Sequence, residues 1–235
     1  MTDTAPPSPN AAPADSPIGA AIVPVTPLQQ NTTILWCTKT MKAAVIDPGG
    51  EVDRLLAAAA QNGVTIEQIW LTHGHLDHAG GAAALKRATN VPIIGPHKDD
   101  KFWLDGIPDH AAQFGLEGFE SCEPDQWLDE GDHVQVGEIG FDVVHCPGHT
   151  PGHVVFVNTD LKLAFVGDVL FKGSIGRTDF PRGNHADLIA SITGKLWPLG
   201  GDMRFVPGHG PMSTFLAERR SNPYVGDAAV SGARG

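Results

Sequence analysis

The chain has 235 residues, of which 41% are apolar and 18% are charged, a balance typical of one large globular domain rather than a disordered protein. Its 16 Lys and Arg residues are outnumbered by 27 Asp and Glu residues, and the formal net charge is -11. Proteins that bind nucleic acids usually need basic patches to neutralise phosphates, so this charge argues against nucleic acid as a partner but not against a small anionic substrate.

The start of the chain and its cysteines favour a cytoplasmic protein. No apolar run approaches the roughly 18 residues needed to cross a bilayer, and the first residues lack the basic start and apolar core of a secretory signal. Cys37, Cys122 and Cys146 are widely spaced and form no CxxC pair, which indicates neither a disulfide framework nor a cysteine-based zinc site. We expect three buried or partly buried thiols and no membrane partner.

Composition divides the chain into a globular domain with a tail at each end. Residues 1–17 hold five prolines among Ala, Ser and Asp, and they cannot bury enough apolar surface to become ordered. We therefore expect a disordered tail over 1–17, one domain over 18–223 and a flexible C-terminal tail over 224–235. No repeat of fixed period is visible, which argues against a solenoid.

The first half of the domain alternates β-branched stretches with stretches rich in Ala and Leu. Runs of the first kind, bounded by turn residues, are typical of strands, and runs of the second kind are typical of helices. The predicted elements, in chain order, are strands at 20–26, 31–38 and 42–46, a helix at 51–63, a strand at 66–72, a helix at 79–89 and a short strand at 91–95.

The second half begins with a mixed stretch, 97–130, in which one helix is predicted around the sequence DDKFWL and glycine-containing loops follow. A second series of strands comes next. Two series of strands with helices between them predict an α/β (α+β) protein with two facing sheets covered by helices, a four-layer αββα sandwich. The predicted elements are strands at 133–137, 139–145, 153–158 and 161–166, a helix at 185–197, a strand at 203–206 and a helix at 213–221.

The segment THGHLDH at 72–78 follows a predicted strand and carries four side chains that can bind metals. By chance, an H-x-H-x-D-H pattern would occur on the order of once in a thousand chains of this size. In an extended segment, side chains two residues apart point the same way, so His73 and His75 can bind one metal. Asp77 and His78 diverge as the chain enters the next helix and suit a second metal. Imidazole and carboxylate are ligands that zinc and its neighbours prefer.

Three more ligands are expected at other strand ends. His149, Asp168 and His209 each follow an apolar, strand-like run and have a glycine beside them, which lets the backbone approach a metal closely. A carboxylate can bridge two metals, and Asp168 is the best candidate for that role. A single His or Asp in such a position is usually a surface or turn residue, but beside the 72–78 segment the joint metal-site interpretation is favoured.

The remaining polar candidates have simpler interpretations. His145 and His153 flank the turn of His149 and could hydrogen-bond to ligands, and Asp47 could orient a ligand histidine or be an ordinary turn residue. No convincing Ser-His-Asp triad or catalytic cysteine is visible, and Cys146 is interpreted as a buried thiol. Surface or satisfied core positions are expected for His97, His110, His133, His145, His153 and His185.

The chain resembles the metallo-β-lactamase superfamily over about residues 18–223, and within it the glyoxalase II (hydroxyacylglutathione hydrolase) group, above all its short bacterial second type. The motifs THGHLDHAGG, HCPGHTPGHVVF, GDVLFKGSIGRTDFPRG and FVPGHGP carry the similarity. The resemblance implies the αββα fold and two divalent metal ions, with zinc expected and iron or manganese as options. It assigns His73, His75 and His149 to one metal, Asp77, His78 and His209 to the other, and Asp168 to both.

The resemblance also implies a hydrolase that cleaves S-D-lactoylglutathione, or a related acyl-thiol, to D-lactate and glutathione in methylglyoxal detoxification. A hydroxide that bridges the metals would attack the thioester carbonyl, and Asp77 would orient this hydroxide while serving as a ligand. Because a thiolate is a fairly stable leaving group near neutral pH, no dedicated general acid is required. The partner is thus a small thioester, and the oligomeric state stays open.

Two departures from the better-known glyoxalase II enzymes concern glutathione. Those enzymes carry a C-terminal helical domain with basic residues for glutathione, whereas this sequence ends soon after Tyr224. Where they place a Lys and a Tyr, this chain has Arg177 and Asp179. Arg177 could anchor a substrate carboxylate in place of the Lys, or form a structural salt bridge in its loop. Asp179 does not replace the Tyr.

Other activities on the same fold are weighed against hydrolysis of a thioester. A persulfide dioxygenase, with one iron held by two His and one Asp, shares the GRTDF loop, and iron content with oxygen uptake would distinguish it. A β-lactamase with a Cys in its second site would not show Asp168, and the superfamily nucleases need a large inserted domain. A non-catalytic metal-binding protein would be expected to lose at least one of the seven ligands.

Overall fold

The computed structural model describes residues 16–232, and most of the expected N-terminal tail, residues 1–15, lies outside the described residues. The first half of the chain forms a five-stranded sheet whose strands lie side by side in sequence order. The first three strands are antiparallel, and the last two continue parallel to the third. The strands are β1 (Ile18–Val25), β2 (Gln30–Cys37), β3 (Lys42–Ile46), β4 (Thr65–Trp70) and β5 (Ile93–Ile94).

The second half forms a six-stranded sheet with the order β13-β12-β9-β8-β7-β6. A separate hairpin, made of β10 and β11, interrupts the chain between two of its strands. The strands of the sheet are β6 (His133–Val136), β7 (Ile139–His145), β8 (Val154–Asn158), β9 (Leu163–Gly167), β12 (Arg204–Pro207) and β13 (Ser213–Thr214), and those of the hairpin are β10 (Leu170–Phe171) and β11 (Ser174–Ile175).

Helices cover the outer face of each sheet. Among the described residues, no helix has the length and the apolar character that a membrane span requires. The helices of the first half are α1 (Val52–Gln61), α2 (Leu76–Ala79), α3 (Ala82–Thr89), α4 (Lys101–Asp105) and α5 (Ile107–Gln113), and those of the second half are α6 (His185–Ser191), α7 (Phe215–Ser221) and α8 (Asp227–Gly232).

Three apolar cores hold these four layers together. Between the sheets, the Trp70 ring lies 5.2 Å from Phe156 and 5.8 Å from Phe141, centroid to centroid, and all three side chains are fully buried. Leu55 of α1 belongs to the core outside the first sheet, and Leu188 of α6 to the core outside the second. Full burial of one such side chain contributes about 1.5–3 kcal/mol. The predicted αββα sandwich is confirmed.

The structure differs from the predicted elements in several places, one of which is the strand β13 at the start of the predicted helix 213–221. Helix α5 lies in the stretch where only loops were predicted after the DDKFWL helix; Pro108 lies in its first turn, where the missing N–H is tolerated. The β10–β11 hairpin has two residues per strand, too few to show a periodic pattern. The segment predicted as a C-terminal tail contains α8. In the same segment Val225 is buried, and its carbonyl accepts a hydrogen bond from Trp197 Nε1 at 3.2 Å.

The carboxyl ends of five strands meet at one edge of the sandwich. Strands β3 and β4 are parallel in the first sheet, and β9 and β12 are parallel in the second, with β7 pointing the same way because β8 runs antiparallel to both β7 and β9. The loops that leave these ends carry the side chains interpreted above as metal ligands. The two halves of the chain therefore contribute to one site.

Candidate metal centre

Two groups of side chains converge at this edge. His73, His75 and His149 form the three-histidine cluster: His75 Nδ1 lies 3.1 Å from His73 Nε2 and 3.0 Å from His149 Nε2. Asp77, His78 and His209 form the Asp77 cluster. In it, Asp77 Oδ2 lies 3.1 Å from His209 Nε2 and 3.9 Å from His78 Nε2.

Asp168, at the end of β9, lies between the two clusters. Its Oδ1 is 3.3 Å from His78 Nε2, and its Oδ2 is 3.6 Å from His149 Nε2 and 3.7 Å from His209 Nε2. The neighbouring strand end supplies Gly208, where a Cβ atom would overlap both Asp168 Oδ1 and the His78 ring. Glycine at 208 is thus required by the close approach of the backbone to the centre.

Hydrogen bonds fix the orientation of the ring in four of the histidines. A backbone carbonyl can only accept, so His149 Nδ1 donates to Arg177 O at 2.7 Å and His209 Nδ1 donates to Leu28 O at 3.2 Å. The Asp47 carboxylate contacts His78 Nδ1 at 2.9 Å. Since each ring is held through Nδ1, its Nε2 is free and points to the centre.

Thr72 and Asp47 orient the fourth ring, that of His73. The Asp47 carboxylate accepts hydrogen bonds from the backbone N–H of Thr72 at 2.7 Å and from its hydroxyl at 2.6 Å. Because the hydroxyl donates its only hydrogen to Asp47, it accepts a hydrogen bond from His73 Nδ1 at 3.1 Å. Asp47, 2% exposed, therefore positions a histidine of each cluster and is more than a turn residue.

A second buried carboxylate, Asp100, was not recognised from the sequence. It accepts hydrogen bonds from the Gly74 N–H at 2.8 Å, the Thr150 hydroxyl at 2.7 Å and the Gly152 N–H at 2.6 Å. These partners belong to the loops that carry the three-histidine cluster, so Asp100 ties those loops together. Nothing in the local sequence indicated that Asp100 is buried, because its neighbours in the run HKDDK are charged or polar.

His153 also supports the centre. It is fully buried, its Nε2 accepts a hydrogen bond from the Asp168 N–H at 3.0 Å, and its ring stacks on His73 at 4.6 Å between centroids. His145 lies one step further out, where its Nε2 donates to the Pro151 carbonyl at 2.8 Å. His153 thus contacts two candidate ligands, which was one of the two interpretations considered, whereas the hydrogen bond of His145 goes to the turn that carries His149.

The clusters differ in their affinity for protons. Burial, with the neighbouring imidazoles, lowers the pKa of His73 and His75 well below the ordinary value. Burial also lowers the pKa of His78, but the carboxylates of Asp168 and Asp77 outweigh this and raise it well above that value. Burial raises the pKa of Asp168, and the charge of His78 reverses this and holds it below its usual range. The Asp77 cluster thus carries the charge of the centre.

The centre lies on the floor of a cavity of about 930 Å³. Side chains of both clusters face this cavity, and Trp103, Phe114, Phe171 and Phe180 form much of its wall. His110, expected at a surface or core position, also lines it, with its ring 4.9 Å from Trp103. A substrate in the cavity would contact metal ligands directly and would be surrounded largely by aromatic rings.

Arg177 lines the same cavity, as expected of a substrate-binding residue, and also forms the loop salt bridge considered as the alternative. Its guanidinium donates to Asp179 from Nε at 2.7 Å and from Nη2 at 2.6 Å. This hydrogen bond from Arg177 lowers the pKa of Asp179 to about 2. Elsewhere, His133 is exposed beside Asp142, and Cys37, Cys122 and Cys146 are buried free thiols, as predicted.

Divalent metal ions fit the donor set of this centre. Among the described residues, the buried atoms His78 Nε2 and Asp168 Oδ1 have no hydrogen-bond partner, an arrangement that is costly unless a cation satisfies them. Imidazole nitrogens and carboxylate oxygens are suited to zinc, iron and manganese. Asp47, His73 and His78 also lie close together, but Asp47 faces the Nδ1 side of His78 and is engaged by Thr72, so it orients ligands.

Comparison with known proteins identifies the class. The family model for the metallo-beta-lactamase superfamily matches residues 25–209, and the chain belongs to this superfamily. It is 45% identical over 205 residues to the hydroxyacylglutathione hydrolase GloC of Haemophilus influenzae, an alignment that covers 87% of this chain and 96% of that protein. The expected glyoxalase II group, and with it a hydrolase, is confirmed.

Solved structures support the same fold. The BLEG-1 B3 metallo-beta-lactamase has a TM-score of 0.81 and 32% identity, and covers 88% of this chain and 99% of its own. TTHA1623, in a di-iron-bound form, has a TM-score of 0.80 and 37% identity, over 87% of this chain and 99% of its own. The chain is thus similar to proteins of more than one activity, so the architecture by itself does not name the substrate.

Proposed function

We propose that this chain hydrolyses S-D-lactoylglutathione, or a closely related hydroxyacyl thioester of glutathione, to the hydroxy acid and the free thiol. The observation that carries the proposal is the convergence of seven donor side chains, with their free nitrogens and carboxylate oxygens directed to one point, on the floor of a cavity. The three-histidine cluster would hold one divalent ion and the Asp77 cluster another, with Asp168 shared between them.

The donors match the chemistry that the ions would supply. Zinc is the proposed metal, because imidazole and carboxylate suit it; iron and manganese are the alternatives. When bound, such ions lower the pKa of water to about 7 and polarise a carbonyl oxygen. A cytoplasmic role in methylglyoxal detoxification belongs to the same proposal, and the buried free thiols fit a reducing compartment.

Asp77 is the proposed catalytic residue. Its carboxylate faces the cavity, with the side chain 16% exposed, and Asp168 beside it lies between the two clusters. An ionised Asp77 can accept a hydrogen bond from the attacking water and orient it toward the thioester carbonyl. Burial raises the pKa of Asp77, but His78 and the hydrogen bond from His209 outweigh this and lower it, so the carboxylate stays ionised.

The proposal is tested by the hydrolysis of S-D-lactoylglutathione by zinc-loaded protein, with Asp77→Ala and Asp142→Ala measured in parallel. Asp142 is an exposed carboxylate distant from the centre, so its variant should keep wild-type turnover. Loss of Asp77 should lower kcat at least about 100-fold, the range for removal of a proton-transfer group.

No turnover by the wild type would refute the substrate assignment. Glutathione persulfide would then be assayed with iron-loaded protein, since oxygen uptake would identify the dioxygenase alternative. Turnover by Asp77→Ala equal to that of the wild type would instead refute the role of Asp77.

A further inference from the structure

The wall of the cavity above the metal centre is basic in an acidic protein. Its charged side chains, apart from the ligands Asp77 and Asp168, are Lys172 and Arg177, and no other carboxylate lines it within residues 16–232. The chain as a whole carries a formal charge of -11. A concentration of positive charge at the cavity above the candidate metal centre favours an anionic substrate and speeds its capture.

The two cations differ in their availability. The Arg177 guanidinium is already paired with Asp179 and lies 4.2 Å from the centroid of the Phe180 ring. For Lys172, by contrast, no carboxylate of the described residues lies within 4.0 Å of the ammonium nitrogen. The free positive charge of the cavity wall is therefore that of Lys172.

The backbone around Lys172 is held in place by the C-terminal part of the chain. Lys172 and Gly173 form the two-residue loop of the β10–β11 hairpin, with Gly173 at φ +74°. The Gly173 N–H donates to Glu218 Oε2 at 2.7 Å, and Glu218 is only 2% exposed because α7 packs against the second sheet. Asn222 Nδ2 donates to the same Glu218 oxygen at 3.0 Å, which fixes this carboxylate.

We infer that the Lys172 ammonium binds a carboxylate of the thiol portion of the substrate, an inference that rests on the proposed function. A glutathione thioester carries two carboxylates on the thiol side and none on its lactoyl side. Phe171, the residue before Lys172, lies beside the ligand His209, with 6.3 Å between ring centroids. The hairpin thus places a free cation on the wall of the cavity in which the thioester would react. Arg177 is assigned a lesser part, because Asp179 already offsets its charge.

The test compares two thioesters that have the same acyl group but differ in whether the thiol portion is charged. S-D-lactoylglutathione and the uncharged S-D-lactoyl-N-acetylcysteamine are hydrolysed by zinc-loaded wild type, Lys172→Ala and Lys172→Arg. For the glutathione substrate we expect Lys172→Ala to raise KM roughly two- to fivefold, the range for one exposed ion pair, with kcat within about twofold. The neutral substrate should show no difference, and Lys172→Arg should restore most of the KM. Lys162→Ala, at the opposite end of β9, controls for the change in net charge.

A binding measurement separates this inference from the proposed function. Titration calorimetry with S-hexylglutathione, which has no thioester to cleave, should show weaker binding to Lys172→Ala and a smaller dependence on salt than wild type. If the wild type fails to hydrolyse lactoylglutathione but binds S-hexylglutathione through Lys172, the proposed function is refuted and the role of Lys172 in binding a carboxylate stands. If wild type and Lys172→Ala have equal KM and equal affinity, the inference that Lys172 binds a substrate carboxylate is refuted. Wild type that neither hydrolyses nor binds these compounds overturns both.

Discussion

The three-histidine cluster and the Asp77 cluster lie side by side, yet they differ in charge, burial and support. The first contains only imidazoles, all nearly buried, on loops tied together by Asp100. The second contains a carboxylate and opens to the cavity, where the His209 side chain is 30% exposed, and Asp47 orients its His78. The comparison indicates that one cluster is a buried set of neutral imidazoles, whereas the other carries the charge of the centre and is the more exposed.

The largest effect is expected from Asp168→Ala, because this carboxylate belongs to both clusters. Its loss should leave His78 Nε2 and His149 Nε2 without their shared carboxylate. Metal content and kcat/KM should both fall by more than about 100-fold, a larger loss than is typical for residues that only hydrogen-bond to metal ligands. Metal-to-protein ratios after dialysis and steady-state kinetics measure this. Asp160→Ala, on the turn before β9, is the matched control. A variant that lost only one metal would show that Asp168 is not shared.

A smaller effect is expected when either supporting carboxylate is neutralised. Asp100→Asn places an amide N–H against a backbone or hydroxyl donor and should disturb the three-histidine cluster alone, whereas Asp47→Asn should act directly on His78 and, through Thr72, on His73. Asp100→Asn should weaken one metal-binding step about 10- to 100-fold, and Asp47→Asn should weaken both steps, the step at the Asp77 cluster more strongly. Stepwise titration of metal into the metal-free protein resolves the steps. If Asp47→Asn weakened only the step that Asp100→Asn weakens, Asp47 would not support the Asp77 cluster.

The smallest effect is expected from pH, and it distinguishes the clusters by sign. In the metal-free protein the pKa of His78 and of His209 is raised above the ordinary 6.5: burial lowers each, but carboxylates outweigh it. These rings therefore keep a proton to higher pH than an ordinary histidine does and must release it when a metal binds. The pKa of His73, His75 and His149 is lowered, mainly by burial, so these rings are already neutral.

Affinity at the Asp77 cluster should consequently fall as pH decreases from about 8 to about 6, while affinity at the three-histidine cluster should change little in that range. Calorimetry in buffers of different ionisation enthalpy counts the protons released at each step. Equal proton release at both steps would contradict the difference in charge between the clusters.

Local sequence patterns predicted most of the strands and helices, with ends displaced by a few residues. They succeeded where an element is long enough to repeat its pattern, as in β1, β2, β7 and α1. The pattern failed for the two-residue strands of the β10–β11 hairpin, and for α8, which packs beside Val225. Such short elements are stabilised by tertiary contacts rather than by propensity.

The sequence by itself predicted the seven candidate donors of the metal centre, because metal binding needs particular side chains and the H-x-H-x-D-H spacing expresses that need for four of them within six residues. It also determined the sandwich, because hydrophobic periodicity is a local property. Only the tertiary structure decided which polar side chains support those donors. Asp100 accepts a hydrogen bond from Thr150, which is distant in sequence, and the loop that carries Lys172 is held by Glu218 through the Gly173 N–H. Both environments exist only after the two sheets have packed. Burial and proximity across the fold are not encoded in any single window of the chain.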